Sequence, residues 1–195
     1  MSQDLPKKYY EKLELNEFKL NSLLEITKAI NNNLSIDNIL KIFEYILREQ
    51  LCIGKLILYA SNSKKWNCIL HFGGRGLNKK INVEEELINI KDITVIESSS
   101  IETLNSFDIV IPVFHKKKAL AYLLIGDLEE ETIAISPGIK HMPFIQTLAS
   151  IIVVAIENKR FSKEIIEQEI NKKEMELAAE MQKLLFPTNL PNNNS

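Results

Sequence analysis

The sequence predicts an α+β fold: two helices, an antiparallel sheet of five or six strands, and a long C-terminal helix. Three observations carry that expectation. Apolar residues recur at helical spacing before residue 50, at strand spacing between residues 52 and 127, and at helical spacing again from Pro143 to Phe186.

The first helix is predicted from Lys12 to about Ile30, where Leu13, Leu20, Leu23, Leu24, Thr27 and Ile30 form a stripe. Leu15 and Phe18 lie off that stripe, which leaves a second face open to burial. Asn31, Asn32 and Asn33 end the helix, because asparagine tolerates left-handed backbone and competes for main-chain hydrogen bonds. Ser35 is then a natural N-cap, with Asp37 favourably placed in the first turn of a second helix. Ile36, Ile39, Leu40, Phe43, Ile46 and Leu47 make its apolar face, and it ends near Gln50.

The period then changes to two. Cys52 to Tyr59 reads as a strand and Trp66 to Phe72 as its neighbour, joined by a hairpin loop. On that reading Cys52 and Cys68 face each other across the pair. Gly73, Gly74 and Gly76 make a turn around Arg75, Glu84 to about Asn89 one or two helical turns, and Thr94 to Glu97 a short edge strand. Asp108 to His115 and Ala119 to Asp127 form a long hairpin around the basic turn Lys116–Lys118. Pro112 denies that strand one ladder bond, so the strand is at an edge or bulged there.

Glu129, Glu130 and Glu131 open a loop to Pro143, which suits the first turn of a helix. Phe144 to Ile156 is apolar around much of its circumference and should pack on the sheet. Glu157 to Glu180 is charge-rich, yet Ile166, Ile170, Leu177, Met181 and Leu184 keep a narrow stripe. A stripe that narrow is a seam for another helix, weakened by Lys173 and Glu174. A helix of about 40 residues is about 60 Å long, so its end should protrude from the globular body. Pro187 and Pro191 close it.

Composition narrows the function classes. Of 195 residues, 45% are hydrophobic and 26% charged, enough for a real core. A formal net charge of -2 argues against a nucleic-acid partner. Two cysteines exclude a disulfide scaffold and a four-cysteine zinc site. The N-terminus has no apolar signal region, and the longest apolar run, Ile151–Ile156, is far short of a membrane span. The expectation is a soluble, cytoplasmic protein with no membrane partner.

No catalytic constellation stands out: there is no P-loop, dinucleotide fingerprint, zincin motif or nucleophile elbow. His71, His115 and His141 have no metal-ligand spacing, so neither a metal nor another cofactor is expected. Gly73, Gly74, Arg75 and Gly76 could cradle an anion, against the simpler reading of a hairpin exit turn. Trp66 heads a strand beside a loop, where it either lines a small-molecule pocket or closes the core edge. Cys52 and Cys68 read as structural thiols, with a redox switch or a thiol enzyme as the alternatives.

Two stretches resemble known families. LLEITKAINNNLSIDNILKIFEYILREQLCIGKLILYA, followed by IVIPVFHKKKALAYLLIGD and a long helix, is similar to a GAF domain over roughly residues 15 to 160. That resemblance implies a six-stranded antiparallel sheet with the terminal helices on one side. On the other, the segments around residues 73 to 106 would cap a pocket. Its ligand-pocket candidates are Trp66, Phe72, Arg75 and Phe107. MELAAEMQKLLFPTNLP, Met175 to Pro191, resembles the linker into SpoIIE/RsbU-type serine phosphatases, with Ala179, Gln182, Leu184, Leu185, Pro187, Leu190 and Pro191 in register.

Together these resemblances imply a sensory GAF domain over 12–160, a signalling or coiled-coil helix over 161–186, and a linker stub over 187–195. The module would form a homodimer through its terminal helices. It would relay the state of a small-molecule ligand or partner to a metal-dependent serine phosphatase domain outside this chain. The segment itself should then have no activity. The alternative is a stand-alone small-molecule-binding protein.

Overall fold

The computed structural model describes residues 4–62, 65–74, 76–96, 103–115, 117–126 and 141–185. The chain divides into two compact units, Met1–Ala155 and Ile156–Ser195.

Helix α1 spans Asp4–Asn31, eight residues earlier than the apolar stripe suggests. The stripe is not the buried face. Leu13, Leu20 and Leu24 are exposed, whereas Ser22, Ile26 and Ala29 are buried and Phe18 meets Phe144 edge-on at 6.0 Å. The secondary face marked by Phe18 is therefore the one that packs. Asn33 takes φ +55 and stops the helix as expected of asparagine. Ser35 caps α2 (Ile36–Tyr45), its Oγ accepting the Asn38 N–H at 3.2 Å. One wide turn, Ile46–Gln50, continues α2, and Ile39, Leu40, Phe43, Ile46 and Leu47 are its buried residues.

Among the described residues five strands follow: β1 Lys55–Asn62, β2 Lys65–Phe72, β3 Thr94–Val95, β4 Ile109–His115 and β5 Lys118–Gly126. They form one antiparallel sheet in the order β2-β1-β5-β4-β3. This corrects the expectation of six strands. The five period-two runs account for these five strands, and the definite count of six was what the resemblance implied. Between Phe72 and Ile109 the described chain supplies instead a 3-10 turn (Leu77–Lys79), the four-residue helix α3 (Val83–Glu86), the two-residue β3 and a second 3-10 turn (Leu104–Ser106).

β1 also begins later than expected. Cys52 has φ +53, is exposed, and lies in the turn that enters the strand. Cys68 pairs with Tyr59, so the two cysteines do not face each other. Along β2 the partner of Leu58 is Leu70 and that of Tyr59 is Cys68, leaving Ile69 as the extra residue of a bulge. Leu120 plays the same part on β5, between the partners of Val113 and Phe114. β3 pairs only with Ile109 and Val110, so Pro112 has no described strand on its outer side.

Both sheet faces are buried. Ile57, Tyr59, Val110, Tyr122 and Leu124 share one cluster with Ile81, Val83, Leu87, Leu104 and Phe107 of the segments between β2 and β4. No residue of α1, α2 or the C-terminal helix belongs to that cluster. Leu56, Leu58, Ile111, Leu123 and Ile125, which alternate with that cluster along the strands, are buried on the opposite face.

Helix α4 spans Met142–Leu185 in 44 residues, with Pro143 in its first turn. Within the first unit it buries Phe144, Ile145, Leu148, Ala149, Ile152 and Val153. Within the second unit every residue described from Phe161 to Leu184 is exposed.

Candidate functional site

Two tyrosines rise from the sheet and hold the covering segment. The Tyr59 hydroxyl donates to the Asn78 carbonyl at 2.9 Å, and the Tyr122 hydroxyl to the Ile88 carbonyl at 3.3 Å. Each buried phenol thereby satisfies its own polar atom and that of a main-chain carbonyl above it. Burial pushes both phenols above their ordinary range, and for Tyr59 the charges of Cys68 and Glu86 add to the effect. Asn82 caps α3 through Oδ1, which accepts the Glu84 N–H at 3.2 Å, while its own N–H donates to the Glu86 carboxylate at 2.9 Å.

Beside this packed floor, at the β2 edge of the sheet, a cleft of about 490 Å3 stays open. β1 and β2 supply Tyr59, Lys65, Trp66 and Cys68 to its wall, and the covering segment supplies Asn78, Lys80, Ile81 and Glu84. Trp66 is half-buried, its ring tilted at 53° to Tyr122 with centroids 5.2 Å apart. The volume falls in the range of small-molecule sites. Among the described residues no group of His, Cys, Asp and Glu is placed to hold a metal ion.

Of the three pocket candidates among the described residues, the cleft receives Trp66 alone. Phe72 is directly opposite Leu56, on the other face of the sheet, with the Arg48 guanidinium 5.8 Å over its ring. Phe107 is 2% exposed and belongs to the packed floor. Arg75 lies outside the described residues. Trp66 and Phe72 are six residues apart, an even number that would put them on one face of a regular strand. The bulge at Ile69 reverses the parity between them. Tyr59, Asn78 and Cys68 also line the cleft: the face Cys68 takes relative to Phe72 depends on that bulge, and Asn78 lies in a 3-10 turn that strand periodicity does not describe.

Cys68 is half-buried in the cleft wall, and its Sγ lies 3.5 Å from the Leu70 carbonyl. Burial raises its thiol pKa, against the lowering effect of hydrogen bonds to the Asn78 side chain and the Leu70 main chain. A thiol held protonated is a poor nucleophile.

The row Ile166, Ile170, Leu177, Met181 and Leu184 lies on one face of α4, and each member is about half exposed or more. Lys163–Glu167 and Lys172–Glu176 ion pairs, at 3.7 and 3.9 Å, brace the helix. Pro187, Leu190 and Pro191 of the tail motif lie outside the described residues.

The fold resembles solved GAF domains. One from Pseudomonas syringae pv. tomato superposes with a TM-score of 0.61 over 82% of this chain and 99% of that chain, at 11% identity. The GAF domain of an Acinetobacter phosphoenolpyruvate-protein phosphotransferase gives 0.51 over 72% of this chain and 93% of that chain, at 14% identity. The chain therefore has a GAF-like α+β fold with a five-stranded sheet. No family model matches the sequence. It is 28% identical over 178 residues to diguanylate cyclase A of Treponema denticola, a match covering 79% of this chain and 47% of that protein. The chain thus spans about half the length of the curated relative it matches. Among the described residues no helix is long and apolar enough to cross a membrane.

Proposed function

We propose that this chain is the signal-receiving part of a larger signalling protein. It pairs with a second copy through its terminal helices and passes its state along α4 to an output domain beyond residue 195. The observation that carries the reading is α4 itself. One uninterrupted helix begins with core residues such as Ile145 and Ile152 and goes on to an exposed apolar row, Ile166 to Leu184. An unpartnered row on a charge-rich helix gains most from a like row on another helix. Lys173 and Glu174 interrupt it, so the pairing is weak, and two arrangements can lie within a few kcal/mol of each other. On this reading 161–186 is the signalling helix, 187–195 is the linker stub, and the segment has no activity of its own.

Sedimentation of the Ile170→Glu and Leu177→Glu variants tests the seam. Both should shift the protein from dimer to monomer with its circular dichroism intact. Unchanged association would overturn the seam.

The motif MELAAEMQKLLFPTNLP supports a metal-dependent serine phosphatase of the SpoIIE/RsbU type as the output. A second reading, a diguanylate cyclase output, is favoured by the Treponema relative. Assaying the full-length protein for phosphoserine hydrolysis with Mn2+, and separately for diguanylate cyclase activity, decides between them.

A further inference from the structure

We propose that the cleft beside β2 binds a flat aromatic anion, stacked on Trp66 and held by Lys65 and Lys80. The proposal deepens the sensory reading by naming the ligand class, and rests on it only for the consequence of binding.

Three observations lead to this class. First, the space over the middle of the sheet is filled by the protein itself: Tyr122 and Leu87 are fully buried, and Phe107 and Tyr59 are 2% and 4% exposed. Among the described residues, the open space beside that filled centre is the 490 Å3 cleft against Trp66. Second, the Trp66 ring packs against the Tyr122 ring at 5.2 Å, which restrains the indole at the cleft wall, where an aromatic ligand can stack on it. Third, the polar rim is rich in donors. Lys65 and Lys80 come from the strand and from the covering segment, and neither is in an ion pair with a described residue. Glu84 is the one carboxylate among the lining residues, so two ammonium groups stand against it. The Oδ1 of Asn82 is engaged by the Glu84 N–H, which leaves its amide NH2 as the group to offer a ligand. A flat ring meets the indole and a carboxylate meets the ammonium groups.

Trp66 is the protein's single tryptophan, so one indole N–H cross-peak reports on the cleft. The probes are 1-naphthoate, its neutral analogue 1-naphthalenemethanol, and the cationic 1-naphthylmethylamine. Naphthoate should shift the indole cross-peak saturably, with the alcohol about fivefold weaker and the amine weaker still. Lys65→Gln and Lys80→Gln, both at exposed positions, should each weaken naphthoate about two- to fivefold and leave the alcohol unchanged. Added salt should weaken naphthoate alone. Equal affinity for the alcohol, preference for the amine, or an unmoved cross-peak at millimolar naphthoate would overturn the proposal. Sedimentation of the same samples separates the two readings. A dimer that ignores naphthoate loses the ligand class only, whereas a monomer that binds it loses the relay only.

Discussion

The hydroxyl of Tyr59 donates to the main-chain carbonyl of Asn78 at 2.9 Å, fastening the segment that covers the sheet to the strand beneath it. The bond joins residues 19 apart in sequence, and Tyr122 repeats it at Ile88. Replacing Tyr59 by Phe keeps the ring in the core and removes the one donor that carbonyl receives from the sheet. The loss should be about 1 kcal/mol of unfolding free energy. Urea denaturation measures it, and hydrogen exchange should quicken over residues 77–90 before it does in β5. Uniform loss of protection across the sheet would contradict the fastening role.

The same phenols predict instability in alkali. Both are raised above their unfolded values, so the stabilising effect is complete below about pH 10, the unfolded value. Above it the unfolded chain releases protons that the folded chain keeps, and stability falls as pH rises toward the folded values. Each retained proton contributes a slope of up to about 1.4 kcal/mol per pH unit. Melting temperature followed from pH 8 to 11 should bend downward near pH 10, less so in Tyr59→Phe. An identical bend in that variant would place the titrating group elsewhere.

The two thiols should differ in reactivity. Cys52 is exposed at the turn before β1, while Cys68 is half-buried with its thiol pKa raised by burial. Iodoacetamide at neutral pH should alkylate Cys52 first, with Cys68 following at least about tenfold more slowly unless the protein is unfolded. Peptide mapping by mass spectrometry reads the order. Equal rates would mean that the cleft wall opens readily around Cys68.

Local signals were legible wherever one residue decides the geometry. Ser35 as a cap, the stop at Asn33, the change of period after Leu51 and the unladdered side of Pro112 all follow from side-chain chemistry at a single position. Features set by counting were not. A single extra residue, Ile69, separates Trp66 from Phe72 onto opposite faces, and nothing in the local pattern marks it. Phe107 is an aromatic beside loops and reads equally well as pocket wall or core. In α1 the stronger stripe, Leu13, Leu20 and Leu24, is exposed and the weaker one packs, because amphipathic periodicity identifies a face without saying what covers it.

That exposed stripe leads to the last prediction. Leu20 and Leu24 are 69% and 50% exposed, Leu13 is 48% exposed, and Tyr10 continues the row one turn earlier at 66%. Tyr10, Leu13, Leu20 and Leu24 fall at alternating heptad positions, with Glu17 as the one charged member of the row. If the terminal helices pair the two copies, this row is buried in the dimer, and each leucine contributes about 1.5–3 kcal/mol. Leu20→Glu should then weaken the dimer by at least about tenfold in sedimentation equilibrium. The folded monomer should be untouched, because Ile26 and Ala29 on the other face stay packed. Leu20→Glu combined with Ile170→Glu separates the contributions of α1 and α4. Additive weakening means that two independent contacts hold the dimer. No effect from Leu20→Glu, with Ile170→Glu still disruptive, would confine the interface to the row from Ile166 to Leu184.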